Sequence, residues 1–174
     1  YQRTSTNTSN RTSGMAVSEV EYTPDTANVN VDRKYYIKND IFIKVDDVIS
    51  RGKNEAQVLK ALNPVDHPFI QKYITSYEKD GKHYLETEYF KGKTLENCQL
   101  TDAHKILIQT QLLELLACLT IYQIKHADIN VSNILFNGQQ ILLIDWETAE
   151  TGNPLDDLFG DENHKGILNT LRML

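Results

Sequence analysis

Residues 126–147 constrain this chain more than any other stretch. HADINVSNIL is a polar loop that runs into an apolar strand, and ILLIDWE is a second apolar strand that ends on an acid. Asn137-Gly138 lies between them and is a turn sequence, so the two apolar runs form a hairpin. That hairpin returns Asp145 to the side of Asp128 and Asn133. Buried strands have no use for two aspartates and an asparagine at their ends. Each residue alone is a common turn former. Held together between fixed strands, they make a set of hard oxygen donors. Mg²⁺ takes one or two protein oxygens and completes its octahedron with phosphate and water. A further carboxylate can accept the proton of an attacking hydroxyl. The pattern therefore points to a metal–triphosphate site.

Composition narrows the setting. The chain has 174 residues, 40% hydrophobic and 24% charged, which suits one globular domain or two small lobes on a common core. The net charge of −6 argues against a nucleic-acid partner, which would need clustered Lys and Arg. No signal peptide is read, and no apolar run approaches the roughly 20 residues that span a bilayer, so no membrane partner is expected. Cys98 and Cys118 have neither disulfide-framework nor zinc spacing and read as reduced thiols of a cytoplasmic protein. The sequons at Asn7 and Asn10 sit in a Ser/Thr-rich tail and read as chance matches.

Along the chain, residues 1–13 have almost no apolar content and read as a tail or a poorly ordered first strand. GMAVSEVEYTP (14–24) reads as a loop followed by a strand. YYIKNDIFIKV (35–45) is a hairpin turning at Asn39-Asp40. Ser50 is the expected cap of a helix over 52–62, whose inner face is Ala56, Val58, Leu59 and Leu62 and which Pro64 ends. Residues 67–90 hold two strands around Lys79-Asp80-Gly81-Lys82. Thr101 starts the longest helix, over 102–124. It is apolar nearly all round in its second half and is expected at the centre of its lobe. A last short helix is expected over 163–174.

H-x-D-x-x-x-x-N-I-L, followed by a strand ending in I-D, resembles the catalytic and metal-binding loops of the protein-kinase-like superfamily. The remaining motifs agree in order. IFIKV resembles the strand whose lysine holds the nucleotide phosphates, here Lys44. NEAQVLKAL resembles the helix whose glutamate pairs with that lysine, here Glu55. Residues 67–95 resemble the next two strands and the hinge, with Thr87 at the gatekeeper place and Glu88 to Phe90 offering backbone groups to adenine. Gly14, Met15, Ala16 and Ser18 resemble a short phosphate loop. The resemblance implies an α+β, bilobal fold: an antiparallel N-lobe sheet with one helix over 14–90, and a reduced, mainly helical C-lobe over 91–174. The whole chain, 1–174, is read as a single minimal kinase domain. The implied cofactors are ATP and Mg²⁺. Asn133 and Asp145 would hold the metal, Asp128 would take the acceptor proton, Lys44 and Glu55 would place the phosphates, and His126 would orient the loop.

Three departures bear on substrate. Ala127 stands where many protein kinases have the arginine that reads a phosphorylated activation loop. Asp145-Trp146-Glu147 replaces Asp-Phe-Gly. IDWETAETGNPLDDL resembles the aminoglycoside phosphotransferase and choline kinase branch, in which Asp157 would buttress the catalytic loop. Against that branch, residues 91–125 and 146–174 leave little material to enclose a small molecule. The expected acceptor is therefore a Ser/Thr of another protein, as in a minimal kinase of the bacterial effector type acting on a host protein. That places it in its own cytoplasm or, if secreted, in a host's. A small-molecule kinase and a nucleotide-binding pseudokinase are the alternatives, and oligomeric state is left open.

Overall fold

The computed structural model describes residues 20–22, 32–152 and 162–174. Gly14, Met15, Ala16, Ser18, Asp157 and both sequons lie outside the described residues. Two hairpins build the first half. Strand β1 (Val20–Tyr22) pairs with β2 (Arg33–Lys38), and β2 turns back into β3 (Ile41–Asp46). Asn39 and Asp40 both have positive φ, 50° and 59°. That is what a two-residue turn matched to strand twist demands, and Asn and Asp tolerate it. After helix α1 (Ile49–Leu62), β4 (Tyr73–Lys79) and β5 (Lys82–Glu88) form the second hairpin, over Asp80 and Gly81. The five strands form one antiparallel sheet in the order β1-β2-β3-β5-β4.

On β5 the inward residues His83, Leu85 and Thr87 are buried and alternate with more open positions. This period of two lays one face of the sheet on α1. The helix buries Gly52, Glu55, Ala56, Val58, Leu59 and Leu62, a stripe at helical spacing. It begins earlier than the sequence predicts. Ser50 is inside the helix and caps nothing. Val48 is the cap residue, and its amide donates to Asp46 Oδ1 at 2.8 Å. No side chain caps the first turn.

The second half carries two helices and five short strands. They are β6 (Lys93–Thr94), α2 (Asp102–Ile121), β7 (Ile124–Lys125), β8 (Ile134–Phe136), β9 (Ile141–Leu143), β10 (Glu150–Thr151) and α3 (Glu162–Met173). Thr101 caps α2 as expected, accepting from the His104 amide at 3.2 Å. The helix ends at Ile121, short of 124, because Gln123 turns the chain with φ 52°.

α2 is only partly central. Ile108, Leu112, Leu115, Cys118 and Leu119 are buried, but Ile106, Leu113 and Ile121 are exposed. By length and composition alone α2 is apolar enough to cross a membrane, which corrects the expectation of no such run. Its buried face packs into the core with Ile134, Ile141, Leu143, Trp146 and Ile167.

His67-Pro68-Phe69-Ile70 is not strand but a strap between the halves. The Leu143 amide donates to the Phe69 carbonyl at 2.9 Å, and Ile70 bridges β9 in parallel.

Candidate active site

The site lies where the interior face of the sheet meets the loops flanking the β8–β9 hairpin. Lys44 is central on β3, facing α1, and is buried. Its Nζ donates to Glu55 Oε2 at 2.6 Å and to Asp145 Oδ1 at 3.1 Å. The other Glu55 oxygen accepts from the Trp146 amide at 3.3 Å. Glu55 therefore aligns both the lysine and the turn after β9. Burial pushes the Lys44 ammonium down, but Glu55 and then Asp145 outweigh it and hold the group above the ordinary lysine value. Burial raises the Asp145 carboxyl in turn, but Lys44 foremost and Arg33 after it hold it below the usual carboxylate range. Both groups are charged near neutrality.

The second half of the site is the loop 126–133. Asn133 Nδ2 donates to Asp128 Oδ2 at 2.7 Å and to the Asp128 carbonyl at 2.9 Å. Asn130 Nδ2 donates to Asp128 Oδ1 at 2.9 Å. The aspartate is aimed by two amides and remains exposed. With its nitrogen committed to Asp128, the Asn133 amide has Oδ1 left as a free acceptor among the described residues. Ile144 N–H donates to the Asn133 carbonyl at 3.0 Å, which yokes Asn133 to the residue before Asp145. One carboxylate and one amide oxygen from yoked positions fit Mg²⁺, which keeps most of its shell as phosphate and water. Among the described residues no trio of His, Cys, Asp or Glu converges as a protein-enclosed metal site would require.

His126 sits between the two loops, fully buried. Its Nε2 meets the Ile144 carbonyl at 3.0 Å and its Nδ1 meets the Asp128 amide at 3.3 Å. One partner only accepts and the other only donates, so the ring carries its proton on Nε2 and is neutral. Burial pushes its pKa down to about 4. A ring so committed positions backbone and moves no proton.

A family model for the protein kinase domain matches residues 27–163, most of the chain. The chain belongs to the protein kinase domain family. Over 104 residues it is 29% identical to a Bacillus subtilis protein named probable serine/threonine-protein kinase YbdM, covering 56% of this chain and 41% of that one. Over 119 residues it is 32% identical to the Dictyostelium discoideum probable serine/threonine-protein kinase mkcE, covering 64% of this chain and 17% of that one. The chain thus spans less than half the length of either relative.

In the stretch expected to form the hinge, two amides are committed to backbone carbonyls of neighbouring segments. The Glu88 amide donates to the Lys72 carbonyl at 3.1 Å and the Tyr89 amide to the Asp40 carbonyl at 2.9 Å. The Phe90 amide donates to no group among the described residues. The Thr87 hydroxyl accepts from Gln71 Nε2 at 2.9 Å, which fixes that side chain.

Several residues that shape the site were not legible. Asn163, fully buried on α3, accepts from the His126 amide at 2.8 Å and donates to the Ile124 carbonyl at 2.6 Å. It braces the catalytic loop in the manner the sequence reading assigned to Asp157. Beside it the fit is tight: a Cβ built on Gly166 would lie 2.6 Å from the Ile129 carbonyl oxygen. Arg33, Asp46, Arg51 and Glu147 form an ion-pair cluster against Asp145. Charged residues on strands and helices usually read as solvated faces, and nothing local in RKYYIK or ISRGKN signals burial.

Proposed function

We propose that this domain is an ATP- and Mg²⁺-dependent phosphotransferase that moves the γ-phosphoryl group to a Ser or Thr hydroxyl of another protein. The observation that carries this is the shared lysine. Lys44 bonds at once to Glu55 and Asp145, while Asn133 and Asn130 aim Asp128.

Lys44, kept charged by both carboxylates, would hold the nucleotide phosphates. Asp145 and Asn133 Oδ1 would hold Mg²⁺, which when bound neutralises charge building on the β- and γ-phosphates. Asp128 orients the acceptor hydroxyl and takes its proton as the new O–P bond forms in line with the breaking bond to the β-phosphate. Positioning and charge compensation supply most of the acceleration. The Phe90 amide would meet adenine.

A protein acceptor is supported by the names of both relatives, each a probable serine/threonine-protein kinase. A small-molecule acceptor of the aminoglycoside or choline type has one feature in its favour, the Asp145-Trp146-Glu147 sequence. Cys98 and Cys118 as free thiols suit a reducing cytoplasm, the cell's own or, for an effector acting on a host protein, a host's.

The test is radiolabelled γ-ATP with Mg²⁺, wild type beside Asp145→Ala, added to a cell lysate and separately to a pool of amino-alcohols and aminoglycosides. A labelled protein band absent in the variant supports the proposal. Label only in a small molecule moves the domain to the other branch. ATP binding without transfer to either makes it a pseudokinase.

A further inference from the structure

Asp145 has a φ of 66°, a left-handed conformation that Asp tolerates and that its surroundings here hold in place. Below the turn, Glu55 binds the Trp146 amide and His126 binds the Ile144 carbonyl. Above it stands the charge cluster.

Arg33, at the start of β2, donates through Nε to Asp46 at 3.0 Å and through a terminal nitrogen to Glu147. Its other terminal nitrogen lies 3.9 Å from Asp145 Oδ1. Arg51 on α1 binds both oxygens of Asp46 at 2.8 Å and lies 3.9 Å from Glu147. Asn54 Nδ2 donates to the Glu147 carbonyl at 2.5 Å. Glu147 is thus gripped by two elements of the N-lobe, two residues beyond Asp145. The Arg33 side chain is only 7% exposed. This separates the pair from exposed ion pairs, which contribute little.

We infer that Arg33 is a positioning residue for Asp145. It clamps Glu147 to β2 and so fixes the turn in the pose that presents the Asp145 carboxylate beside Lys44. The functional consequence rests on the phosphotransfer proposal, but the clamp itself does not. With Glu147 in place of the usual glycine, the clamp ties the metal-binding turn to the N-lobe without help from a modified loop.

The chain has one tryptophan, Trp146, fully buried inside this turn. Its fluorescence reports the clamp in the nucleotide-free protein, independently of activity. The experiment compares acrylamide quenching of Trp146 in the full chain for wild type, Glu147→Gln, Arg33→Gln and the double variant. The KM for Mg-ATP and kcat are measured alongside. Either single substitution is expected to raise quenching several-fold, and the double variant to go no further than Arg33→Gln alone, since both remove the Arg33–Glu147 contact. KM should rise by about tenfold, the size of one lost charge-assisted bond, with kcat changing much less.

Should Arg33→Gln fail to fold, Glu147→Gln carries the test alone, because Glu147 sits at the more open end of the pair. Trp146 equally protected in Glu147→Gln, with KM unchanged, overturns the inference. So do additive effects in the double variant. If quenching rises as expected but wild type transfers no phosphate, the clamp stands and the phosphotransfer proposal falls.

Discussion

The loop that carries Asp128 and the turn that carries Asp145 are neighbours held by opposite means. The Asp128 loop is set by neutral partners: the His126 ring, the amides of Asn130 and Asn133, and Asn163 from α3. The Asp145 turn is set by charges that arrive from far along the chain: Lys44, Glu55, Arg33 and Glu147. The neutral network fixes geometry with no charge to shield, so it should be indifferent to salt and sensitive to acid through one histidine. The charged network keeps cations beside the site where phosphates would lie, but its buried members Lys44, Glu55 and Arg33 depend on their partners.

The largest expected effect comes from unbalancing the charged side. Lys44→Met leaves Glu55 buried without its partner. It should destabilise the domain by about 3 kcal/mol and cut phosphoryl transfer by about 10²-fold or more, read by urea unfolding and initial rates. Stability largely unchanged would mean that Arg33 alone neutralises the site.

Acid should act mainly through the neutral side. His126 has a folded pKa of about 4 against an ordinary 6.5. The unfolded chain therefore binds that proton first as pH falls. The stability is full above about pH 6.5 and is lost progressively toward 4, amounting to about 2 kcal/mol by pH 5. Burial lowers His67 and His83 as well, with the same sign. Urea midpoints across this range check it, and a flat profile would refute a neutral buried ring.

Asn163→Ala leaves the His126 amide and the Ile124 carbonyl buried and unpaired, for a loss of about 2 kcal/mol. That loss should be the same at low and high salt, since no charge is involved; a strongly salt-dependent loss would blur the distinction between the two regions. The smallest effect is at Ala127, whose φ of 68° is left-handed. Ala127→Gly should stabilise by about 0.5 kcal/mol, relief of strain slightly exceeding the added chain entropy. A fall in thermal midpoint would show that the Ala127 methyl group packs productively.

What the sequence could reveal follows the same division. Turn chemistry at Asn39-Asp40 and Asp80-Gly81, the period of two on β5 and the stripe on α1 are local properties, so the hairpins and helices could be read directly. Lys44, Glu55, Asp128, Asn133 and Asp145 stood out as spaced polar residues against apolar strands, and the fold brings Lys44 together with Glu55 and Asp145, and Asn133 together with Asp128. Arg33, Arg51, Asp46 and Glu147 were not, because their burial is decided only when β2, α1 and the turn after β9 meet. The start of α1 was missed for a related reason: Asp46 holds the Val48 amide and belongs to the charge cluster, and Ser50 looked the better cap in one dimension.

The most direct measurement separates the two aspartates. Wild type, Asp128→Ala and Asp145→Ala are compared for the thermal shift caused by Mg-ATP and for the rate of γ-phosphoryl transfer. Asp145→Ala should lose both, its carboxylate being the proposed metal ligand. Asp128→Ala should keep the shift and lose transfer, its carboxylate being the proposed acceptor of the hydroxyl proton. Two folded variants that both transfer at the wild-type rate would contradict the assignment of this site.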